Sequence, residues 1–331
     1  MITATGVGSM PGNDQTAYDE AVRVVLGELP DLPHVPELPG RGAHAGITGR
    51  TLAVVAELAA DLQPAGWRLT GAREPGVDHR RARSLLAQDL DTVEEQTQGW
   101  DGPVKLQLAG PWTLAATVER PRGDRVLADH GARRELAQAL AEGVRAHVAD
   151  VQRRIRGASL VVQVDEPALP AVLAGEVPTA SGLNRHRTVH APEASAALEW
   201  IFAAVRESGA TPVAHCCAPE APVRLLTGAG ATGVSVDLDV LPAEAYDEVA
   251  ALLESGRPLH LGVVPATTRE DPPSDRSVTE RVLRFLDMVG LEPATARSLV
   301  VTPACGLAGA DPAWARRALA LCRTVAVNLR D

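Results

Sequence analysis

Short apolar runs of strand length recur along this chain, and between almost every pair of them lies a longer segment whose apolar residues are spaced as on a helix. Strand and helix in alternation build a parallel sheet with helices packed outside it. Eight strand-like runs are read at Ile2 to Gly8, His34 to Leu38, Val104 to Leu108, Ser159 to Val164, Thr211 to Ala214, Gly233 to Val236, Pro258 to Val263 and Ser298 to Val301. Helical patterns lie near 15–29, 48–62, 79–99, 129–156, 193–208, 220–229, 242–256, 276–290 and 312–328. Over 331 residues this predicts one domain, 1–331, with an α/β, TIM-like (β/α)8 barrel. A doubly wound dinucleotide fold would want Gly-x-Gly-x-x-Gly after an early strand. Gly6-Val-Gly8 lacks the third glycine. The Pro-rich, charged stretch Thr267 to Ser277 is expected to be a loop over the mouth.

In such a barrel, catalytic groups stand at the C-terminal ends of the strands. The polar residues that stand out fall there: Ser9 after the first run, Glu37 at the end of the second, and Gly110-Pro-Trp-Thr113 after the third. Asp165-Glu166 follow the fourth, His215 and Cys217 end the fifth, Asp237 and Asp239 the sixth, and Cys305 the eighth. His215 and Cys217 are two apart, so on extended chain both side chains point the same way and Cys216 the other. A histidine nitrogen and two thiolates suit zinc, and ligands spread over ninety residues must be assembled by the fold. We therefore read a catalytic type of zinc site, with Cys217 as ligand and Cys216 as packing. A single buried cysteine is more often a small core hydrophobe, and Cys322 in the last helical pattern reads that way. Asp165-Glu166 could be no more than a helix cap with a solvated neighbour, Ser9 a turn residue, Trp112 a core residue and His260 a satisfied core histidine.

The net charge of −10, with arginines scattered among acids, excludes the basic patch that nucleic acid or an anionic membrane needs. With 45% apolar residues, no 18-residue apolar stretch and no signal-peptide pattern, a cytoplasmic location with reduced thiols is expected. Lys105 is the only lysine, so any lysine-dependent covalent chemistry would have to use it.

Several motifs carry a resemblance: Val7-Gly-Ser-Met-Pro11, Gly66-Trp67, Leu108-Ala-Gly-Pro-Trp-Thr113, Gln163-Val-Asp-Glu-Pro-Ala-Leu169, His215-Cys-Cys217, Val234-Ser-Val-Asp237 and Thr302-Pro-Ala-Cys-Gly-Leu307. In these the chain resembles the C-terminal, catalytic half of cobalamin-independent methionine synthase, and the superfamily that includes uroporphyrinogen decarboxylase. The resemblance implies a TIM-like barrel holding Zn2+ on His215, Cys217, Asp237 and Cys305, with glutamate usual in the family where Asp237 stands. It also implies an amino-acid thiol, homocysteine or similar, gripped by Val7, Gly8 and Ser9 and by the carboxylates of Glu37 and Asp165. Elementary chemistry agrees: an α-ammonium wants buried carboxylates, an α-carboxylate wants backbone N–H donors, and a thiol needs a metal to stay ionised at neutral pH.

The activity implied is methyl transfer to that thiol, with Asp165, His215, Cys217 and Cys305 as the catalytic set. The family's histidine that protonates a departing folate has no counterpart in Gly262-Val-Val-Pro-Ala-Thr-Thr268, which counts against methyltetrahydrofolate and points to a methylcorrinoid protein or another activated donor that needs no such proton, so the methyl donor is read as a folate or a corrinoid protein. Two other readings stay open: a decarboxylase-like enzyme of the same superfamily, on Gly110-Pro-Trp-Thr-Leu-Ala115, and a non-catalytic zinc or amino-acid binding protein.

Overall fold

A computed structural model describes residues 1–71 and 74–330. Its strands are β1 (Thr3–Ala4), β2 (Ala60–Gln63), β3 (Gly66–Leu69), β4 (Pro103–Ala109), β5 (Ser159–Asp165), β6 (Thr211–Cys216), β7 (Gly233–Asp237), β8 (Leu259–Val264) and β9 (Leu299–Pro303). Its α-helices are α1 (Gln15–Glu28), α2 (Ile47–Val54), α3 (Val77–Gln96), α4 (Pro111–Thr117), α5 (His130–Arg154) and α6 (Leu169–Ala174). They continue with α7 (Ala191–Glu207), α8 (Val223–Gly228), α9 (Tyr246–Glu254), α10 (Asp275–Met288) and α11 (Pro312–Asn328). Among the described residues no helix is long and apolar enough to cross a membrane.

Seven strands form one curled parallel sheet in the order β1-β9-β8-β7-β6-β5-β4. The strands are apolar almost throughout because both faces are covered, as parallel sheets require: α5, α7 and α11 bury Leu140, Val144, Phe202, Leu319 and their neighbours against the outside.

The expected strand at His34 to Leu38 is a correction. Only isolated bridges form there, Ser9 with Glu37 and His34 with Lys105. Pro33 and Pro36 have no N–H to give to a ladder, which breaks the run. The segment still joins the two edges of the sheet. Val35 N–H donates to Lys105 O at 2.8 Å and Lys105 N–H to Pro33 O at 2.8 Å, while Glu37 N–H donates to Gly8 O at 3.1 Å and Met10 N–H to Glu37 O at 2.8 Å.

The helix expected over 48–62 also stops short, at Val54. Its expected last residues instead enter the antiparallel hairpin β2–β3, turning at Pro64-Ala65 into Gly66, whose φ of 121° is open to glycine and costly for other residues. The hairpin buries Trp67, whose indole N–H donates to Ala43 O at 3.3 Å. The short helices α4 and α6 were not anticipated. The signal for α4 was present in Gly110-Pro111, a proline at the first helical position. Residues 267–274 are a loop before α10, and Thr268 in it bonds Asp311 at 2.5 Å.

Candidate functional site

Strand register sets the site. Asp165 on β5 pairs with His215 on β6, His215 with Ser235 on β7, and Ser235 with His260 on β8. Residues two apart on a strand share a face, so these four form one tier, with Gln107, Gln163 and Val213 a tier below.

At the rim the ligand atoms of His215, Cys217 and Cys305 all lie within 4.8 Å of one another. The sulfurs of Cys217 and Cys305 approach to 2.6 Å, and both cysteines are free. His215 Nδ1 is hydrogen-bonded to Ser235 Oγ at 3.0 Å, which leaves Nε2 as the nitrogen for a metal and holds the ring in place. The thiols are electrostatically unlike: Cys305 is pulled down to about 4, first by the hydrogen bond from Cys217 and then by that from His215, while Cys217 is pushed up. One nitrogen and two sulfurs, brought together from β6 and the loop after β9, are a donor set that fits zinc and leaves coordination positions open.

Cys216 is buried on the opposite face of β6, and burial raises its thiol to about 12. Cys322 is buried in α11. Asp237 ends β7 at the same rim but stands outside the three-residue group. Its Oδ1 accepts the Asp239 N–H at 2.9 Å. Asp239 in turn faces outward to Arg281, at 2.5 Å.

Two acids lie near this cluster, Asp165 in register with His215 and Glu37 bridged to Ser9. Glu37 and Asp165 are both buried, and burial raises the pKa of each, that of Asp165 to about 7. Glu37 Oε1 accepts from Gln107 Nε2 at 3.0 Å and stands 3.6 Å from Arg50 Nε. Arg50 is itself paired with the buried Asp89, which also takes Arg41 through two bonds at 2.7 and 2.8 Å. Asp165 Oδ1 accepts from Gln163 Nε2 at 2.7 Å. The Ser9 loop is stitched to the cysteine loop, since Leu307 N–H donates to Ser9 O at 2.8 Å. A Cβ on Gly306 would collide with Ser9 Oγ, so the Ser9 hydroxyl keeps its present rotamer only beside a glycine at 306. Val7 turns its carbonyl inward, to Lys105 and Gln163. Gly8 lets Gln107 pack against it, where a Cβ would lie 2.8 Å from the Gln107 side chain.

Glu166 has a role of its own. Its buried carboxylate accepts Trp112 N–H at 2.9 Å, Thr113 N–H at 2.7 Å and the Thr113 hydroxyl at 2.7 Å, so it caps α4 from the neighbouring strand rather than starting the next helix in the chain. Trp112 is a core residue, 1% exposed, and His260 is buried at 2%, but its Nδ1 has no hydrogen-bond partner among the described residues, so it is not the satisfied histidine expected. The site residues that sequence reasoning passed over are Ser235, Gln107 and Gln163. Each is a polar side chain inside a mostly apolar strand, and that was the available signal.

A sequence profile of the catalytic domain of cobalamin-independent synthases matches residues 86–328, nearly three quarters of the chain. The chain belongs to this family. It is accordingly a methyltransferase of the methionine synthase type, and the matched span contains the metal-type cluster and Asp165. Among solved structures, a B12-independent methionine synthase from Shewanella sp. W3-18-1, in complex with selenomethionine, is similar over 100% of this chain and 98% of that one, at a TM-score of 0.64 and 15% identity. A GH5_18 enzyme from Streptomyces cattleya is similar over 99% of this chain and 80% of that one, at a TM-score of 0.50 and 16% identity. At such identities both likenesses speak of the fold. No curated protein matches the chain significantly.

Proposed function

We propose that the protein transfers a methyl group to the thiol of homocysteine or a close analogue, using zinc held by His215, Cys217 and Cys305. The convergence of these three side chains from β6 and the β9 loop carries this reading. Zinc at this position would keep the substrate thiol ionised yet nucleophilic. Glu37 and Asp165 would take the α-ammonium group, while the backbone of Val7 to Ser9 would face the α-carboxylate. Asp237, at the rim of β7, would serve as fourth ligand through Oδ2, since Oδ1 accepts the Asp239 N–H.

The reaction is a displacement. A sulfur–carbon bond forms, the donor's bond to the methyl carbon breaks and its electron pair leaves with the donor, while the proton that the thiol releases on becoming a thiolate balances the one a folate nitrogen takes up as it leaves. The family's description as cobalamin-independent favours a folate over a corrinoid protein as that donor. In the fold, His34 to Leu38 would act as the eighth stave that closes the sheet into a single-domain barrel, through its hydrogen bonds to both edges. A decarboxylase has less support, because it has no use for two thiols and an imidazole brought within one coordination sphere.

Metal analysis and a transfer assay test the proposal together. The purified protein should hold close to one equivalent of zinc, and C217S and C305S should each lose most of it. Methionine should form from homocysteine with methyltetrahydrofolate, and a methylcorrinoid should serve as the competing donor in a parallel reaction. Zinc content unchanged in both serine variants would overturn the ligand assignment, and no product from either donor would overturn the activity.

A further inference from the structure

Lys105 is outside the zinc site and the methyl transfer proposed above, yet it is the only lysine of the chain and wholly buried, next to the proposed amino-acid pocket. Burial pushes its pKa down to about 7 against the opposing pull of Asp165 and Glu37, and the three acceptors that face its nitrogen, Val7 O at 2.7 Å, Gln163 Oε1 at 2.8 Å and Gln107 Oε1 at 3.5 Å, match the three protons of the ammonium form. An ammonium can only donate, so both glutamine amides must turn their oxygens toward it and their NH2 groups away. Those NH2 groups reach the two carboxylates. Gln163 Nε2 donates to Asp165 Oδ1 at 2.7 Å and to Val7 O at 2.9 Å, and Gln107 Nε2 donates to Glu37 Oε1 at 3.0 Å and to Val35 O at 2.6 Å. One cation thus sets two amides, and each amide sets one acid. Reversing either amide would put NH2 against ammonium and amide oxygen against carboxylate, two repulsive contacts in a site shielded from water.

We propose that Lys105 is a positioning residue for the amino-acid pocket, acting through Gln107 and Gln163 to hold Glu37 and Asp165 turned toward the α-ammonium group of the ligand. This rests on the proposed pocket for an amino-acid thiol and assigns it a supporting frame. The two arms are unequal. Glu37 has a second cation in Arg50, whereas Asp165 forms no ion pair among the described residues, has the His215 imidazole near it, and takes its side-chain hydrogen bond from Gln163. Replacing Gln163 should therefore reproduce most of the effect of replacing Lys105, and replacing Gln107 less of it.

The test uses two thiols, homocysteine and 4-mercaptobutyrate, which has the same thiol and carboxylate but hydrogen in place of the ammonium group. Binding of each to the zinc-loaded full chain is measured by calorimetry for wild type, K105M and Q163M, with zinc content determined on every sample. Wild type should prefer homocysteine. K105M should lose about 10- to 100-fold in homocysteine affinity, as expected when a hydrogen-bonded charge partner is lost, with mercaptobutyrate affinity and zinc content held within about threefold. Q163M, nearly isosteric, gives the same readout should K105M not fold. Equal losses for both thiols would mean that Lys105 only supports the fold and would overturn the proposal. So would an undiminished preference for homocysteine in both variants. A wild type that binds the two thiols equally would instead refute the amino-acid pocket itself, before any substitution is made, and this proposal with it.

Discussion

Replacing Glu166 with alanine should destabilise the protein by about 3 kcal/mol, a cost set by donors left without partners rather than by lost charge. The helix α4 opens on Gly110, which has no side chain to cap it, and on Pro111, which has no N–H. The next two N–H groups, of Trp112 and Thr113, point at the Glu166 carboxylate, and all of these groups are buried. Each buried donor left unsatisfied costs about 1–3 kcal/mol, so the pair costs about 2–6 kcal/mol, while the Thr113 hydroxyl can rotate to another partner. E166Q keeps one acceptor oxygen and should sit at the lower end, near 1–2 kcal/mol.

Urea unfolding reads this directly: with a slope of about 3 kcal/mol/M for a chain of this size, E166A should lower the midpoint by about 1 M. Gly110 supplies an internal control, since a Cβ there would lie 2.6 Å or less from Glu166 side-chain atoms. G110A should be costly in the wild type and much less so beside E166A, giving a coupling term above about 1 kcal/mol in the double-mutant cycle. A midpoint for E166A within about 0.2 M of wild type, or purely additive costs with G110A, would show that the cap is not what holds α4.

S235A should weaken zinc binding by about 10- to 100-fold in a chelator competition, because the His215 ring loses the bond that orients it, while stability changes little. His260 should make the protein acid-sensitive. Burial holds its pKa down to about 3, so below 6.5 the unfolded chain takes up a proton that the native state refuses. Stability present above pH 6.5 is then lost as pH falls, by about 2 kcal/mol between pH 6.5 and 5 from this residue. H260N should flatten that part of the stability profile, and an unchanged slope in denaturant titrations at the two pH values would refute the assignment.

Much of the site was legible in the sequence. The alternation of apolar runs with helical spacing dictated a parallel sheet with helices outside it, because only that arrangement buries both faces of strands so uniformly apolar. Residues at the C-terminal ends of those strands were then the natural place for chemistry, and the two-residue spacing of His215 and Cys217 put them on one side and Cys216 on the other. These inferences rest on local periodicity, which a single chain displays. Boundaries were less legible where competing local signals met: Pro33 and Pro36 reduced an expected strand to bridges, and a turn at Pro64-Ala65 converted the end of an expected helix into the β2–β3 hairpin.

Strand register and side-chain direction were decided only by the tertiary structure, because both depend on contacts between residues far apart in sequence. Cys305 meets Cys217 across a separation of 88 residues, and Glu166, next to Asp165, turns away to cap α4. Asp237 reaches the same rim, with one of its carboxylate oxygens taken by its own turn. Lys105 was conspicuous in the sequence only for being alone. Its two glutamine partners and their two carboxylates come together through the pairing of β4 with β5 and the bridges from His34 to Glu37, a set of non-local contacts that no local pattern encodes.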